Sequence, residues 1–118
     1  MPFKIILYIL INIATIVALS FCSISKASYY GSKHHGKKTA SGKIFNKDDL
    51  TCAASSYYNL GDSLLVTNVN NGKSVRVEVT DRGNFQKYGR CIDLSEASFK
   101  KISKLSNGVI TVSIEKIK

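Results

Sequence analysis

Acidic residues are scarce in this chain: eight Asp and Glu stand against seventeen Lys and Arg, a formal net charge of +9 over 118 residues. Histidine is confined to the adjacent pair His34 and His35. No Cys or carboxylate stands at ligand spacing beside them, so no metal centre is expected there. Cysteine occurs three times, at Cys22, Cys52 and Cys91. There is no internal repeat, no low-complexity segment and no recognisable nucleic-acid motif, so solenoids and the common nucleic-acid modules are set aside. Long apolar runs are absent apart from one, Ile5 to Phe21.

That run follows Lys4 and precedes Ser25-Lys26-Ala27, which supplies small residues at the positions a signal peptidase reads. Residues 1–27 therefore read as a secretory signal peptide cleaved after Ala27. An uncleaved anchor competes with this reading, because about 17 apolar residues lie near the lower limit for spanning a bilayer. Lipidation of Cys22 is a third reading, disfavoured by the bulk of Phe21 before it. With the signal removed, no membrane span is expected, and the protein is placed in the periplasm or cell envelope, or outside the cell.

Residues 28–118 then form one domain of about 90 residues, a size at which a single core is marginal and a covalent staple helps. Cys52 and Cys91 remain in an oxidising compartment, so a Cys52–Cys91 disulfide is expected, with two buried free thiols as the alternative. Closing a loop of about 40 residues would contribute about 4 kcal/mol in the chain-entropy model. Fifteen Lys and Arg against eight acids keep this domain strongly basic. A polyanionic partner suits it, and export favours an anionic cell wall over nucleic acid.

The pattern of the exported part is that of short strands. Ser28-Tyr29-Tyr30-Gly31 reads as a first strand, Thr51-Cys52-Ala53-Ala54 as a small-residue strand, and Ser63 to Val69 as a buried β-branched run. Asn70-Asn71-Gly72-Lys73 carries an Asn-Gly pair between two strand patterns, the strongest short-range hairpin signal. Ser95 is placed to cap a short helix from Glu96 to about Lys104, stopped by Ser106-Asn107-Gly108. Ile110, Val112 and Ile114 give the last strand its buried phase. Five or six short strands, one short helix and abundant turn signals indicate a small β-barrel.

The stretch Ser74 to Phe85 is the one on which candidate chemistry rests. Val75, Val77 and Val79 alternate with polar residues, and Asp81 continues that phase. A carboxylate at the end of such a strand lies at the rim of a core, where desolvation favours the protonated form that a general acid needs. Pairing of Asp81 with Arg82 or Arg90, or capping of the turn at Gly83, is the structural alternative.

Several landmarks together carry a family likeness. They are Ala27-Ser28-Tyr29-Tyr30-Gly31, His35 to Gly42, Leu50 to Ala54, Val66-Thr67-Asn68 with Asn71 to Val75, Thr80 to Phe85, and Gly89 to Ser95. The chain resembles the double-psi β-barrel domain of the rare lipoprotein A (RlpA) family of bacterial septal lytic transglycosylases, a fold shared with expansins and barwin-like proteins. The resemblance implies an all-β fold, a small six-stranded double-psi β-barrel with one or two short helices. It also implies action on peptidoglycan or another cell-wall polysaccharide, with Asp81 as the acid/base; a monomer without a cofactor is expected. One acid can protonate a glycosidic oxygen and then serve as base while the sugar's own 6-hydroxyl attacks. Where the transglycosylases carry a Glu this chain has Lys43, and where they carry a His after the second strand it has Ala54 and Ser55.

The expansins give a second template, a non-catalytic polysaccharide-binding or wall-loosening module whose site would match Thr39, Asp81 and Asp93. For Asp93 a helix-entry role beside Ser95 is the alternative, and for Thr39 a buried turn hydroxyl. Tyr29, Tyr30, Tyr57, Tyr58, Phe85 and Tyr88 are candidates to stack on sugar rings, with Tyr30 and Phe85 the two expected to do so. A secreted barwin-like effector acting on a protein partner is the third reading.

Overall fold

The computed structural model describes residues 22–83 and 90–117. The apolar leader run, Phe85 and Tyr88 lie outside the described residues. Six strands, β1 (Ile24–Tyr30), β2 (Thr51–Ala54), β3 (Ser63–Asn68), β4 (Ser74–Arg82), β5 (Arg90–Ser95) and β6 (Ile110–Ile117), are joined by one helix, α1 (Glu96–Ile102), and a 3₁₀ turn at Leu105–Asn107. They close into a barrel in the order β1-β5-β2-β4-β3-β6. Two of the pairings, β1 with β5 and β2 with β4, are parallel, and the remaining four are antiparallel. This is the six-stranded double-psi arrangement the sequence resembles.

Local chemistry explains each element. The β3–β4 hairpin turns where the Asn-Gly pair predicts: Gly72 adopts φ +74° and donates its N–H to Asn68 O at 2.8 Å. Across that hairpin Leu64 faces Val77 and Val66 faces Val75, all four buried. The helix starts at Ser95, whose Oγ accepts from Ser98 N, with Glu96 in the first turn and Lys100 and Lys101 in the last. Acid first and base last complements the helix dipole. It ends at Ile102, two residues earlier than the sequence suggests. Ile110, Val112 and Ile114 point inward from β6, as their spacing predicts.

Leu64, Val66, Val77, Val79, Ile92, Leu94, Ile102, Val112 and Phe99 are each at most 1 % exposed. Full burial of side chains of this size contributes about 1.5–3 kcal/mol apiece. Tyr29 stacks at a tilt on Phe99, ring centroids 4.8 Å apart, and so belongs to the core rather than to a sugar platform. Tyr58 packs against the same core and donates its hydroxyl to Cys22 O.

The disulfide differs from the expected one. Cys91 is bonded to Cys22, with Cα atoms 5.6 Å apart, and Cys52 is a buried free thiol. The register gives the reason: Cys52 lies opposite Leu94 in the β2–β5 ladder. Cys91 is three residues further along β5, about 10 Å of strand, beyond the reach of a disulfide without backbone movement. The boundary expected after Ala27 falls within β1, which begins at Ile24 and buries Ala27 completely. Ser23 O also accepts from Ile114 N at 2.7 Å.

Peptide mapping without reductant is expected to recover Cys22 linked to Cys91 and Cys52 as a free thiol. The two bonded cysteines are 69 residues apart, so Cys22→Ser should destabilise the domain by about 4 kcal/mol. Denaturant melts of that variant and of Cys52→Ala check the assignment, since only the first should lose the crosslink.

Candidate functional site

The site is built around a register shift in β4. Cys52 pairs with Val79, but the next residue of β2, Ala53, pairs with Asp81, so Thr80 is an extra residue on β4. A β-bulge of this kind reverses the side-chain alternation beyond it. Thr80 is buried with Val79, and Asp81 leaves the phase of the valines. The expectation that Asp81 continues that phase is therefore corrected: its carboxylate emerges on the other face of the sheet, beside Ala53.

Ala53 also pairs with Asp93, on β5. Asp81 and Asp93 thus flank one small side chain from the two neighbouring strands, with Cα atoms about 10 Å apart at two strand spacings. Between them lies an open cleft of about 140 Å³ lined by Tyr30, His34, Ala53, Asp81, Arg82, Gly83 and Asp93.

The two carboxylates are held differently. Asp81 is half-buried; its Oδ1 accepts from Ala40 N at 3.1 Å and from its neighbour Arg82 N at 2.9 Å. No described Lys or Arg forms an ion pair with it. Arg82 turns away and donates through Nη1 to the carbonyls of Ala54, Ser55 and Tyr58, tying down the loop after β2. Asp93 by contrast is paired with Arg90 at 3.2 Å and accepts from Ser28 Oγ at 2.6 Å. Its charge is compensated, and its bonds run to β1 and along β5, not to the helix entry beside Ser95.

The loop at residues 39–43 fixes Asp81 in place. Gly42, at φ +89°, closes a turn in which its N–H donates to Thr39 O, and Ser41 N donates to Thr80 O at 3.0 Å. The carbonyl of the bulged residue is thereby satisfied, and Ala40 N is brought onto Asp81. Thr39 is 7 % exposed; its Oγ1 donates to Lys43 O at 2.7 Å and bonds Ser41 Oγ. It braces this turn and does not line the cleft. Lys43, where the resemblance implies a Glu, forms an exposed ion pair with Glu78 at 2.7 Å.

Tyr30 lines the cleft with one ring face already covered: it stacks on the buried Phe45 at 4.4 Å and meets His34 edge-on at 5.5 Å. Its hydroxyl is buried and makes no well-formed hydrogen bond. Burial, with Asp81 and Asp93 adding to it, pushes the phenol well above its usual range, and a contact with Thr80 only partly offsets this. His34 and Arg82 are cleft residues that the sequence reading did not place. His34 is carried there by the loop after β1, and no spacing signal marks it.

A family model described as "Lytic transglycolase" matches residues 23–114. The chain is 48 % identical over 84 residues to a probable endolytic peptidoglycan transglycosylase RlpA of Aquifex aeolicus, covering 71 % of this chain and 36 % of that protein. It is 40 % identical over 103 residues to the endolytic peptidoglycan transglycosylase RlpA of Campylobacter jejuni, covering 87 % and 37 %. The chain thus spans about a third of the length of these curated relatives. Among solved structures it is similar to the expansin of Clavibacter michiganensis, at TM-score 0.64 and 28 % identity over 81 % of this chain and 50 % of that one. A variant of that expansin, 26 % identical, is solved in complex with cellohexaose.

Buried protons in the core and at the cleft predict an alkaline limit. Burial pushes the Cys52 thiol, the Tyr30 phenol and, with Cys52 adding to it, the Tyr58 phenol upward. The unfolded chain releases these protons near pH 8.5 and 10, while the folded domain holds them to higher pH. Stability is therefore complete below those values and falls as pH rises above them. Cys52 alone should remove up to about 1.4 kcal/mol per pH unit, and the partly exposed Tyr30 less. Urea melts at pH 7, 9 and 10.5 should show this decline, with Cys52→Ala abolishing its first part and Tyr30→Phe reducing the second. Unchanged stability from pH 7 to 10.5 would contradict it.

Proposed function

The chain belongs to the lytic transglycolase family of double-psi β-barrels, and from that premise we propose that it cleaves peptidoglycan glycan strands without water, leaving 1,6-anhydro-muramyl ends. The observation that carries this reading is Asp81: a half-buried carboxyl on the wall of an open cleft, held by backbone N–H groups and free of any described cation. Protonated, it donates to the glycosidic oxygen as the bond to the anomeric carbon breaks. The resulting carboxylate then takes the proton of the muramyl 6-hydroxyl, whose oxygen closes the anhydro ring on that carbon. The acid is regenerated and no water is consumed.

Asp93, tied through Oδ1 to Ser28 and Arg90, serves to hold sugar hydroxyls rather than to transfer a proton. Tyr30, on the lining of the cleft, meets a sugar ring in this reading. Thr39 acts through the turn that presents Ala40 N to Asp81. The naked glycan strand is the proposed substrate, and the protein works in the cell envelope as a monomer. Because β1 and the disulfide use residues from Cys22 onward, processing upstream of Cys22 replaces the boundary after Ala27 in this reading.

A second reading, an expansin-like module that binds polysaccharide without cleaving it, is favoured by Lys43 and Ala54. A salt-bridged lysine and a methyl group occupy positions where the resemblance implies an acid and a His.

Asp81→Asn keeps the side-chain volume and removes the titrating group. On denuded glycan strands, mass spectrometry should find anhydro-muramyl products from the full chain, and the variant should lose at least about a thousandfold in rate with glycan binding nearly unchanged. Strands bound but never cleaved by the wild-type protein would establish the second reading instead.

A further inference from the structure

A second concavity among the described residues, larger than the Asp81 cleft, lies away from it. It is a groove of about 700 Å³ bordered by Lys26, Lys73, Lys100 and Lys104, with the turn after β3 and the end of α1 as its floor. Lys73 immediately precedes β4 and Asp81 stands near that strand's far end, so eight residues, about 26 Å of extended chain, separate them.

The floor is built by side-chain amides. Asn68 Nδ2 and Asn71 Nδ2 both donate to Ile102 O at 2.9 Å, where the helix ends. Their own oxygens accept from Asn70 N and Lys73 N. On the opposite side Asn107 Nδ2 donates to Ser103 Oγ at 2.9 Å. These bonds lock the turn to the helix end and satisfy its terminal carbonyl, so Lys100 and Lys104 are not required there.

The rim carries charge without compensation. Lys43, Lys47 and Lys116 pair with Glu78, with Asp48 and Glu96, and with Asp62. Lys26 bonds only the neutral Thr111 Oγ1, at 2.7 Å, and no described carboxylate pairs with any of the four groove lysines. No described acidic or aromatic side chain lines the groove. Stacking on sugar rings or on nucleobases therefore has no platform, and what remains is attraction for anionic oxygens. A concave trough suits a polymer chain, whereas a bilayer surface would meet a flat or protruding face.

We propose that this groove is a second binding site, for a linear polyanion whose repeating phosphate or carboxylate groups meet Lys26, Lys73, Lys100 and Lys104. It would hold the protein on an anionic polymer while the Asp81 cleft stays open. The site stands on its own charge and geometry, independent of the chemistry at Asp81.

The test uses the full chain, with inorganic polyphosphate and polygalacturonate as separate probes in titrations at 50 and 200 mM salt. The triple variant Lys73→Gln, Lys100→Gln, Lys104→Gln should lose at least about tenfold in affinity for one or both polymers, with a visibly shallower salt dependence. Lys33→Gln, Lys37→Gln, Lys38→Gln removes the same charge from the exposed loop after β1 and should lose no more than about threefold. Asp81→Asn should bind as the wild type does, so an inactive cleft leaves the result readable. Which polymer responds identifies the anion. Equal losses in the two triple variants, no binding of either polymer, or groove-dependent binding to phosphatidylglycerol vesicles alone would overturn the proposal. Unchanged melting of both triple variants shows that the comparison is between folded proteins.

Discussion

The hydrogen bonds between the 39–43 turn and the bulge of β4 are the constraint on which the site depends. An extra residue in a strand leaves backbone groups out of the ladder. Here Ser41 N takes the carbonyl of Thr80, and Ala40 N takes the carboxylate of Asp81. The same contact satisfies the bulge and holds the Asp81 carboxylate. Thr39, held inside the turn, keeps those two N–H groups in line. Thr39, matched by resemblance to a site of sugar contact, is in this chain a brace for the turn that holds Asp81.

Barrel topology then does the rest. Parallel pairing of β2 with β4 and antiparallel pairing with β5 brings Asp81 and Asp93 to the two sides of Ala53. A larger side chain at position 53 would fill the cleft from below. The two acids enter it in different electrostatic states, Asp93 compensated by Arg90 and Asp81 without a described cation. In the function proposed above, the uncompensated acid transfers the proton and the compensated one holds substrate. Arg82, adjacent to Asp81 in sequence, spends its guanidinium on three carbonyls of the neighbouring loop, so chain proximity does not become an ion pair.

Much of this fold is legible in the residues because it rests on local rules. The Asn-Gly turn, the valine alternation of β4, the Ser95 cap and the apolar phase of β6 each follow from short-range chemistry, and each stands where the pattern puts it. The disulfide was not legible for a different reason. A leader-like run ending near Ala27 drew Cys22 out of the domain, leaving Cys52 as the only partner for Cys91, whereas the strand register separates those two. The phase of Asp81 failed at the bulge, because strict alternation carries no mark of an inserted residue. His34 entered the cleft through a loop that only tertiary packing against Tyr30 and Phe45 defines.

The central claim is that glycan lies across the cleft between Asp81 and Asp93 with its scissile bond at Asp81. The most direct measurement is a crystal structure of the Asp81→Asn protein with a peptidoglycan tetrasaccharide. The account predicts a glycosidic oxygen within hydrogen-bonding reach of the residue 81 side chain, about 2.6–3.2 Å, with sugar hydroxyls on Asp93. A saccharide bound elsewhere on the barrel, with the cleft empty, would contradict it.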